Sequence, residues 1–438
     1  MKRILCLGAG LVARPYVQYL CNKGYHVVVA SRTKEKAEHL IEGCSSAEAV
    51  KLNIKTDDQL LERLVSKTDL VCSLLPYTFH VKAAKIAIKH RKHFCTASYI
   101  SKEMQDLDND ARDAGVILLN ECGVDPGIDH MSAMKIIDDV HNNNGQIVSF
   151  TSFTGGLPAP EANTNPFGYK LSWSPRGVLT AGTNDAHFLR DGKEIIIPGP
   201  ELFANYEIIE VPGIGEFEGY PNRDSMSFID YYGIQETKTM LRGTYRYPGW
   251  CKTLKTISDL GLLSLEEQSF ENITYKDMLK ANIAGDYKDV IEAVSSFTGL
   301  DRNDAIIKRL EWLGLFSDEK IPPTVTTQLD ALCHLFEEKL QYSPGERDMI
   351  VMHHEFIASY PDKKEKITST LIDFGIPNGD SSMSRTVALP VAIASRLILE
   401  DKINLVGVHR PVLPELYNPI LKELKEQNIS MEEHVFPM

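Results

Sequence analysis

Two kinds of pattern alternate through the first 125 residues. Short runs apolar at nearly every position ("RILCLG", "HVVVA", "AVKLNI", "LVCSLL", "HFCTAS" and "GVILLN") are separated by segments with apolar residues at helical spacing, such as "KEKAEHLIE", "DQLLERLV", "FHVKAAKIAIKH" and "KEMQDLDNDARDA". Strands with one face in water would alternate apolar and polar residues. Continuous apolar runs instead suit parallel strands covered on both faces. Strand-like runs joined by helical crossovers predict an α/β fold with a doubly wound parallel sheet.

The pattern changes near residue 145. "QIVSFTSF" is followed by Gly- and Pro-rich loops, then by "AHFLRDGKEIII", where Asp191-Gly192 between two strand-like runs predicts a hairpin. "TKTMLRGTYRY" predicts another strand, so this region reads as α+β with a largely antiparallel sheet. Residues 251–343 are mainly helical ("YKDMLKANIAG", "DVIEAVSSFTG", "DAIIKRLEWLG", "QLDALCHLFEEKL"). "RDMIVMHHEFIAS" and "EKITSTLIDFG" predict a long hairpin across "YPDKK", and "TVALPVAIASRLILEDK" and "PILKELKEQN" are helical. The expected domains are therefore residues 1–124, completed by the helices of about 384–438; residues 125–250 with about 344–383; and a helical insertion at 251–343.

With 438 residues, two or three domains are the natural expectation. A net charge of -13 argues against a general nucleic-acid binder and requires local cations for any acidic ligand. The eight cysteines are scattered without a CxxC pair, which suits reduced thiols in a cytoplasmic setting rather than zinc or disulfides. Lys2-Arg3 before "ILCLGAGLV" imitates a secretory leader, but the apolar stretch is short and glycine-broken, as in a buried first strand. No uninterrupted apolar run predicts a membrane span. "MHHEF" lacks a third metal ligand: on a strand, His353 and Glu355 share one face and His354 the other.

"GAGLVA" fits G-x-G-x-x-G/A between the first strand and the first helix. Gly8 permits the tight turn, Gly10 leaves room for a pyrophosphate, and Ala13 lets the helix lie close to the strand. The helix N-terminus offers N–H groups to the phosphates. This makes the first domain a Rossmann-type dinucleotide domain. Its second strand ends in Ser31-Arg32-Thr33, where an NAD-selective site carries an acid. Arginine flanked by hydroxyls suits a ribose 2′-phosphate, so the cofactor predicted is NADP(H). The same three residues would otherwise be a surface turn capping the next helix. Two more turns lie at strand carboxyl ends: Leu74, Leu75 and Pro76 are expected to flank the nicotinamide ribose, and Ser98 and Tyr99 to face the substrate.

Taken together, "GAGLVARP", "SRT", "SLLPYTFH", "TASYIS", "NECGVDPGIDHMSA", "GGLPAPEANTNPFGYKLSWSPRGVL" and "LRGTYRYPGW" resemble the saccharopine reductase family over essentially the whole chain. The resemblance implies an NADP-dependent oxidoreductase acting on a CH–NH bond. Glutamate condenses with 2-aminoadipate 6-semialdehyde, and NADPH reduces the imine to saccharopine, in lysine biosynthesis. It further implies a second domain for substrate binding and dimerisation, hence a homodimer. It places Gly10, Leu11, Val12, Ser31, Arg32, Thr33, Asn53 and Ile54 at the cofactor. Ser98, Tyr99, Asp125, Arg223, Thr244, Tyr245 and Arg246 are placed at saccharopine, with the stretch Trp173, Ser174 and Arg176 at the junction of the two ligands. Two positions depart from the family pattern: Asn53 replaces a frequent acid, and Thr154 a frequent cysteine.

Saccharopine carries three carboxylates, for which Arg223 and Arg246 are the expected cations, because guanidinium binds carboxylate bidentately. Asp125 opens "DPGIDH", a turn expected to start a helix, where a capping role is the alternative reading, and Tyr99 and Asp125 are the candidates for substrate hydrogen bonding or proton transfer. Two other readings fit parts of the chain: a related NADP-dependent secondary-amine dehydrogenase of carboxynorspermidine or homospermidine type, and a non-catalytic NADPH-sensing protein.

Overall fold

The computed structural model describes residues 1–285 and 287–438, which divide into two compact units. The first comprises residues 1–146, 359–364 and 369–438, the second residues 147–358 and 365–368.

The first unit is built on the six predicted parallel strands: β1 (Arg3–Leu7), β2 (His26–Ser31), β3 (Ala47–Lys51), β4 (Leu70–Ser73), β5 (His93–Cys95) and β6 (Ile117–Leu119). Their order is β6-β5-β4-β1-β2-β3, with a seventh parallel strand, Gly407–His409, added beside β6. Direction therefore switches between β1 and β4, where Leu7 pairs with both Ala30 and Ser73. Ligands bind such sheets at the carboxyl ends beside that switch. The buried interiors of β1, β2 and β4 explain their uninterrupted apolar sequences. The predicted helix "KEMQDLDNDARDA" breaks into Lys102–Gln105 and Asp108–Ala114. A strand at Glu432–Pro437 lies beside Lys364–Phe374, and both it and Gly407–His409 go beyond the sequence reading.

One helix among the described residues, Ser382–Leu399, is long and apolar enough to cross a membrane, but 83% of it is buried. Its Ser395 hydroxyl meets Tyr16, and Arg396 pairs with Glu423. It is packed as a core helix.

The second unit holds a mixed sheet of β7 (Gln146–Pro158), β8 (Ala186–Arg190), β9 (Lys193–Ile197), β10 (Glu207–Val211), β11 (Gly215–Pro221), β12 (Thr239–Arg246) and β13 (Asp348–Ser359). The β10–β11, β11–β12, β8–β12 and β8–β9 pairs are antiparallel, whereas β7 and β12 run parallel with Thr154 opposite Thr244. The β8–β9 hairpin turns on Asp191 (φ +51°) and Gly192 (φ +75°), as its sequence predicts. The helices Tyr275–Ala281, Val290–Thr298, Ala305–Leu313 and Gln328–Lys339 are started by side-chain caps from Thr274, Asp289, Asp304 and Thr327. "MHHEF" lies on β13, with His354 fully buried beside Phe150 and Phe356. Among the described residues no group of three or more potential ligands is placed to hold a metal ion, and all eight cysteines are free thiols.

Candidate active site

The glycine turn closes β1 at the switch point. Gly8 has φ +113°, donates its N–H to Ala30 C=O at 2.9 Å, and would place a Cβ 2.9 Å from Leu74 C=O. Only glycine fits this conformation and this approach. A Cβ on Gly10 would meet nothing within 4 Å, so the turn opens onto free space. Helix Arg14–Asn22 follows with no side-chain cap, leaving its first N–H groups for a ligand. Leu11 is exposed, Val12 half-buried and Ala13 fully buried. Gly8→Ala should cost about 1–3 kcal/mol of stability through backbone strain and displace Leu74. Thermal unfolding should show a lower midpoint and a smaller rise on adding NADPH than in the unsubstituted protein.

A cavity of about 510 Å³ runs along this edge, and Gly8, Gly10, Ser31, Arg32, Thr33, Asn53, Ile54, Leu74, Leu75 and Pro76 all line it. Lys36 and Lys55 line it too, and no Asp or Glu does. In a chain of net charge -13 this is a local cationic site suited to phosphates. Thr33 stands at the N-cap of helix Lys34–Leu40 without making a side-chain cap bond. The Ser31 hydroxyl accepts only a long 3.4 Å bond from Thr33 N–H. Helix capping therefore does not account for "SRT". Lys36 and Lys55 were not singled out by sequence; a lysine one helical turn beyond Arg32 was the available signal for the first.

Tyr99 and Asp125 come together although 26 residues apart: the Tyr99 hydroxyl donates to Asp125 Oδ1 at 3.1 Å. Both are half-buried. The expected helix does begin here, at Ile128, but its N-cap is Gly127 and Asp125 does not cap it. Gly127 N–H bonds Asp129 instead.

Glu121 holds this arrangement from behind. Its side chain is 3% exposed and its backbone adopts φ +55°. Its N–H donates to Ser98 C=O at 3.0 Å, and its Oε1 accepts from Ile100 N–H at 3.0 Å, so one residue grips the Tyr99 turn on both sides. Its Oε2 lies 3.0 Å from His130 Nε2 and 3.3 Å from Arg410 Nε. Burial raises the Glu121 pKa, but His130, Arg410 and the Ile100 N–H outweigh it and hold the carboxyl at about 2. A depressed carboxyl pKa stabilises the fold above the ordinary value near 4.5 and ceases to do so as pH falls towards 2. Glu121→Gln should therefore destabilise the protein by about 2–3 kcal/mol at pH 7, with the difference from the parent shrinking below pH 4.5 in urea unfolding series.

In the second unit Arg246 ends β12 at 4% exposure. Its guanidinium lies over Tyr169 at 5.1 Å and Trp250 at 5.4 Å, and Nη1 donates to Tyr245 C=O at 2.7 Å. Glu218 stands opposite in register, but its carboxylate accepts from Gly249 and Cys251 N–H, both at 2.7 Å. Arg246 Nε has no hydrogen-bond partner, and Arg246 has no carboxylate partner among the described residues.

The remaining candidates differ in availability. Thr244 is half-buried beside Thr154, whereas Tyr245 is fully buried, stacked on Phe153 at 5.2 Å, so its ring is part of the core. Arg223 is exposed with φ +53°, and its C=O accepts from His187 N–H. Trp173 packs on Gly177, and Ser174 caps helix Pro175–Thr180. Arg176 is exposed and ion-paired with Asp330.

Comparison with known proteins decides the family. Residues 4–119 match the sequence model described as saccharopine dehydrogenase NADP binding domain, and residues 123–429 that of the saccharopine dehydrogenase C-terminal domain. The chain belongs to the saccharopine dehydrogenase family. It is 42% identical over 440 residues to saccharopine dehydrogenase (NADP+, L-glutamate-forming) of Pyricularia oryzae, covering 97% of each chain. Identity to the Saccharomyces cerevisiae protein of the same name is 41% over 437 residues, again 97% of each. The solved apo structure of the glutamate-forming saccharopine dehydrogenase from that yeast matches over 100% of both chains with a TM-score of 0.90 and 39% identity. The resemblance read from the motifs is thereby borne out. The stretch matching the family's NADP-binding domain contains the glycine turn, "SRT" and every residue lining the cationic cavity.

Proposed function

We propose that this chain is an NADP-dependent, glutamate-forming saccharopine dehydrogenase acting in the aminoadipate route to lysine. The observation that carries the reading is Arg246, a buried guanidinium without a carboxylate partner among the described residues, in a chain whose relatives are named for a tricarboxylate. Arginine stays charged when buried, and an unpaired buried charge is costly. An incoming carboxylate offsets that cost by forming a bidentate pair. Arg223 serves a second carboxylate, with Thr244, Trp173 and Ser174 completing the substrate contacts.

Arg32, with Ser31 and Thr33, holds the 2′-phosphate, Gly10 admits the pyrophosphate, and Leu74, Leu75 and Pro76 flank the nicotinamide ribose. NADPH, when bound, supplies the hydride. The glutamate amine adds to the aldehyde, one water leaves, and the imine nitrogen takes a proton before its carbon accepts hydride. Asp125 handles that proton, and Tyr99 orients the carboxylate through their shared hydrogen bond. A homodimeric, cytoplasmic protein goes with this reading, and light scattering on the purified chain checks the first.

A substrate panel tests the assignment. NADP+ reduction should be fastest with saccharopine and release glutamate, whereas carboxynorspermidine and homospermidine should react far more slowly. Either polyamine turning over as fast as saccharopine would contradict it.

A further inference from the structure

His80 begins the helix His80–Lys89 at 4% exposure, between two serines. Its Nδ1 is 2.8 Å from Ser73 Oγ, and its Nε2 is 2.8 Å from Ser98 Oγ. Burial lowers its pKa to about 4, so at neutral pH one ring nitrogen donates and the other accepts.

Thr96 determines which nitrogen carries the hydrogen. Its hydroxyl donates its single hydrogen to Ser73 C=O at 2.8 Å. The same oxygen accepts from Ser98 N–H at 3.3 Å and lies 3.4 Å from His80 Nε2. With its hydrogen committed, Thr96 can meet Nε2 favourably only as an acceptor. Nε2 therefore bears the hydrogen, directed chiefly at Ser98, and Nδ1 accepts from the Ser73 hydroxyl. Ser98 Oγ accepts from His80, which leaves its own hydrogen for a ligand. Ser98 is half-buried and follows the carboxyl end of β5, on the ligand-binding edge of the sheet.

We propose that His80, as its Nε2–H tautomer, is a positioning residue that fixes the Ser98 hydroxyl as a hydrogen-bond donor to a substrate carboxylate. The inference rests on the reading of Ser98 as a substrate contact and adds the group that decides its polarity. A core histidine that only filled space would not set which way a serine hydroxyl points.

Two measurements test it. In a double-mutant cycle, His80→Leu and Ser98→Ala should each lower kcat/KM for saccharopine about tenfold, with Kd for NADPH unchanged within about twofold. The double variant should be no worse than either single one, because both remove the same donor. Losses that multiply, or an undiminished kcat/KM in His80→Leu, overturn the proposal. Nitrogen-15 NMR of histidine-labelled unsubstituted protein at pH 7, with the resonance assigned through His80→Gln, should show a neutral ring protonated on Nε2. An Nδ1–H tautomer or an imidazolium overturns it, whether or not His80→Leu and Ser98→Ala fold. Absence of saccharopine turnover in the unsubstituted protein would instead count against the functional reading, which the NMR result does not require.

Discussion

Replacing Arg32 with alanine should weaken NADPH binding by at least about tenfold while leaving NADH binding within about twofold. The side chain is exposed and lines the cavity, and helix Lys34–Leu40 starts without a side-chain cap from it or its neighbours. Its effect should therefore appear in the ligand alone. The guanidinium matches phosphate oxygens with two parallel donors, and losing one charge-assisted contact of that kind is worth about a factor of ten or more. NADH lacks the phosphate and has nothing to lose. Titration of both cofactors into both proteins checks this, and equal weakening of the two would refute the phosphate role. Because Lys36 and Lys55 line the same cavity, a residual preference for NADPH should persist and decline with added salt.

Replacing Arg246 with methionine should raise KM for saccharopine by about a hundredfold or more without lowering the unfolding temperature. These two effects normally move together, and here they should separate. Truncating a paired buried charge destabilises a fold, because its partner is left alone. Arg246 has no such partner among the described residues, since Glu218 is satisfied by the backbone at the start of helix Trp250–Asp259. An apolar chain of similar length keeps the contact with Tyr169 and Trp250 and removes a desolvated cation. Steady-state kinetics with saccharopine and thermal unfolding of the ligand-free protein give both readouts. A large fall in stability with little change in KM would make Arg246 a structural residue.

The architecture was readable where chemistry is local. β1, β2 and β4 are covered on both faces, so their sequences are apolar throughout and declare themselves. The glycine turn is local too, since φ +113° at Gly8 admits only glycine comfortably. Gly407–His409 escaped because three residues carry too little pattern, and its partner β6 lies almost 300 positions earlier. Glu432–Pro437 escaped because all six of its residues are exposed and no alternation marks a face.

The candidate site divides in the same way. "SRT" and the turns after β4 and β5 followed from strand polarity, which fixes where ligands bind in such sheets. Pairings across the chain did not follow. Nothing local joins Tyr99 to Asp125, Glu121 to Arg410, or Arg176 to Asp330, and the last pairing makes Arg176 less available than its sequence position suggested. The Tyr245 ring proved to be core because both faces of β12 are covered there, a property of tertiary packing that strand alternation cannot report. His80 sat inside a recognised turn, but its role depends on Ser73, Thr96 and Ser98 converging from three segments.

On the proposed function, this protein reduces the imine formed between glutamate and an aldehyde, using NADPH. The most direct test is the initial rate of NADPH oxidation by the purified protein with L-glutamate and 2-aminoadipate 6-semialdehyde together, against each alone and against NADH. Oxidation should occur only when both substrates are present, with saccharopine as the product and a much lower rate with NADH. NADPH consumption that is independent of glutamate, or none with both substrates present, would contradict it.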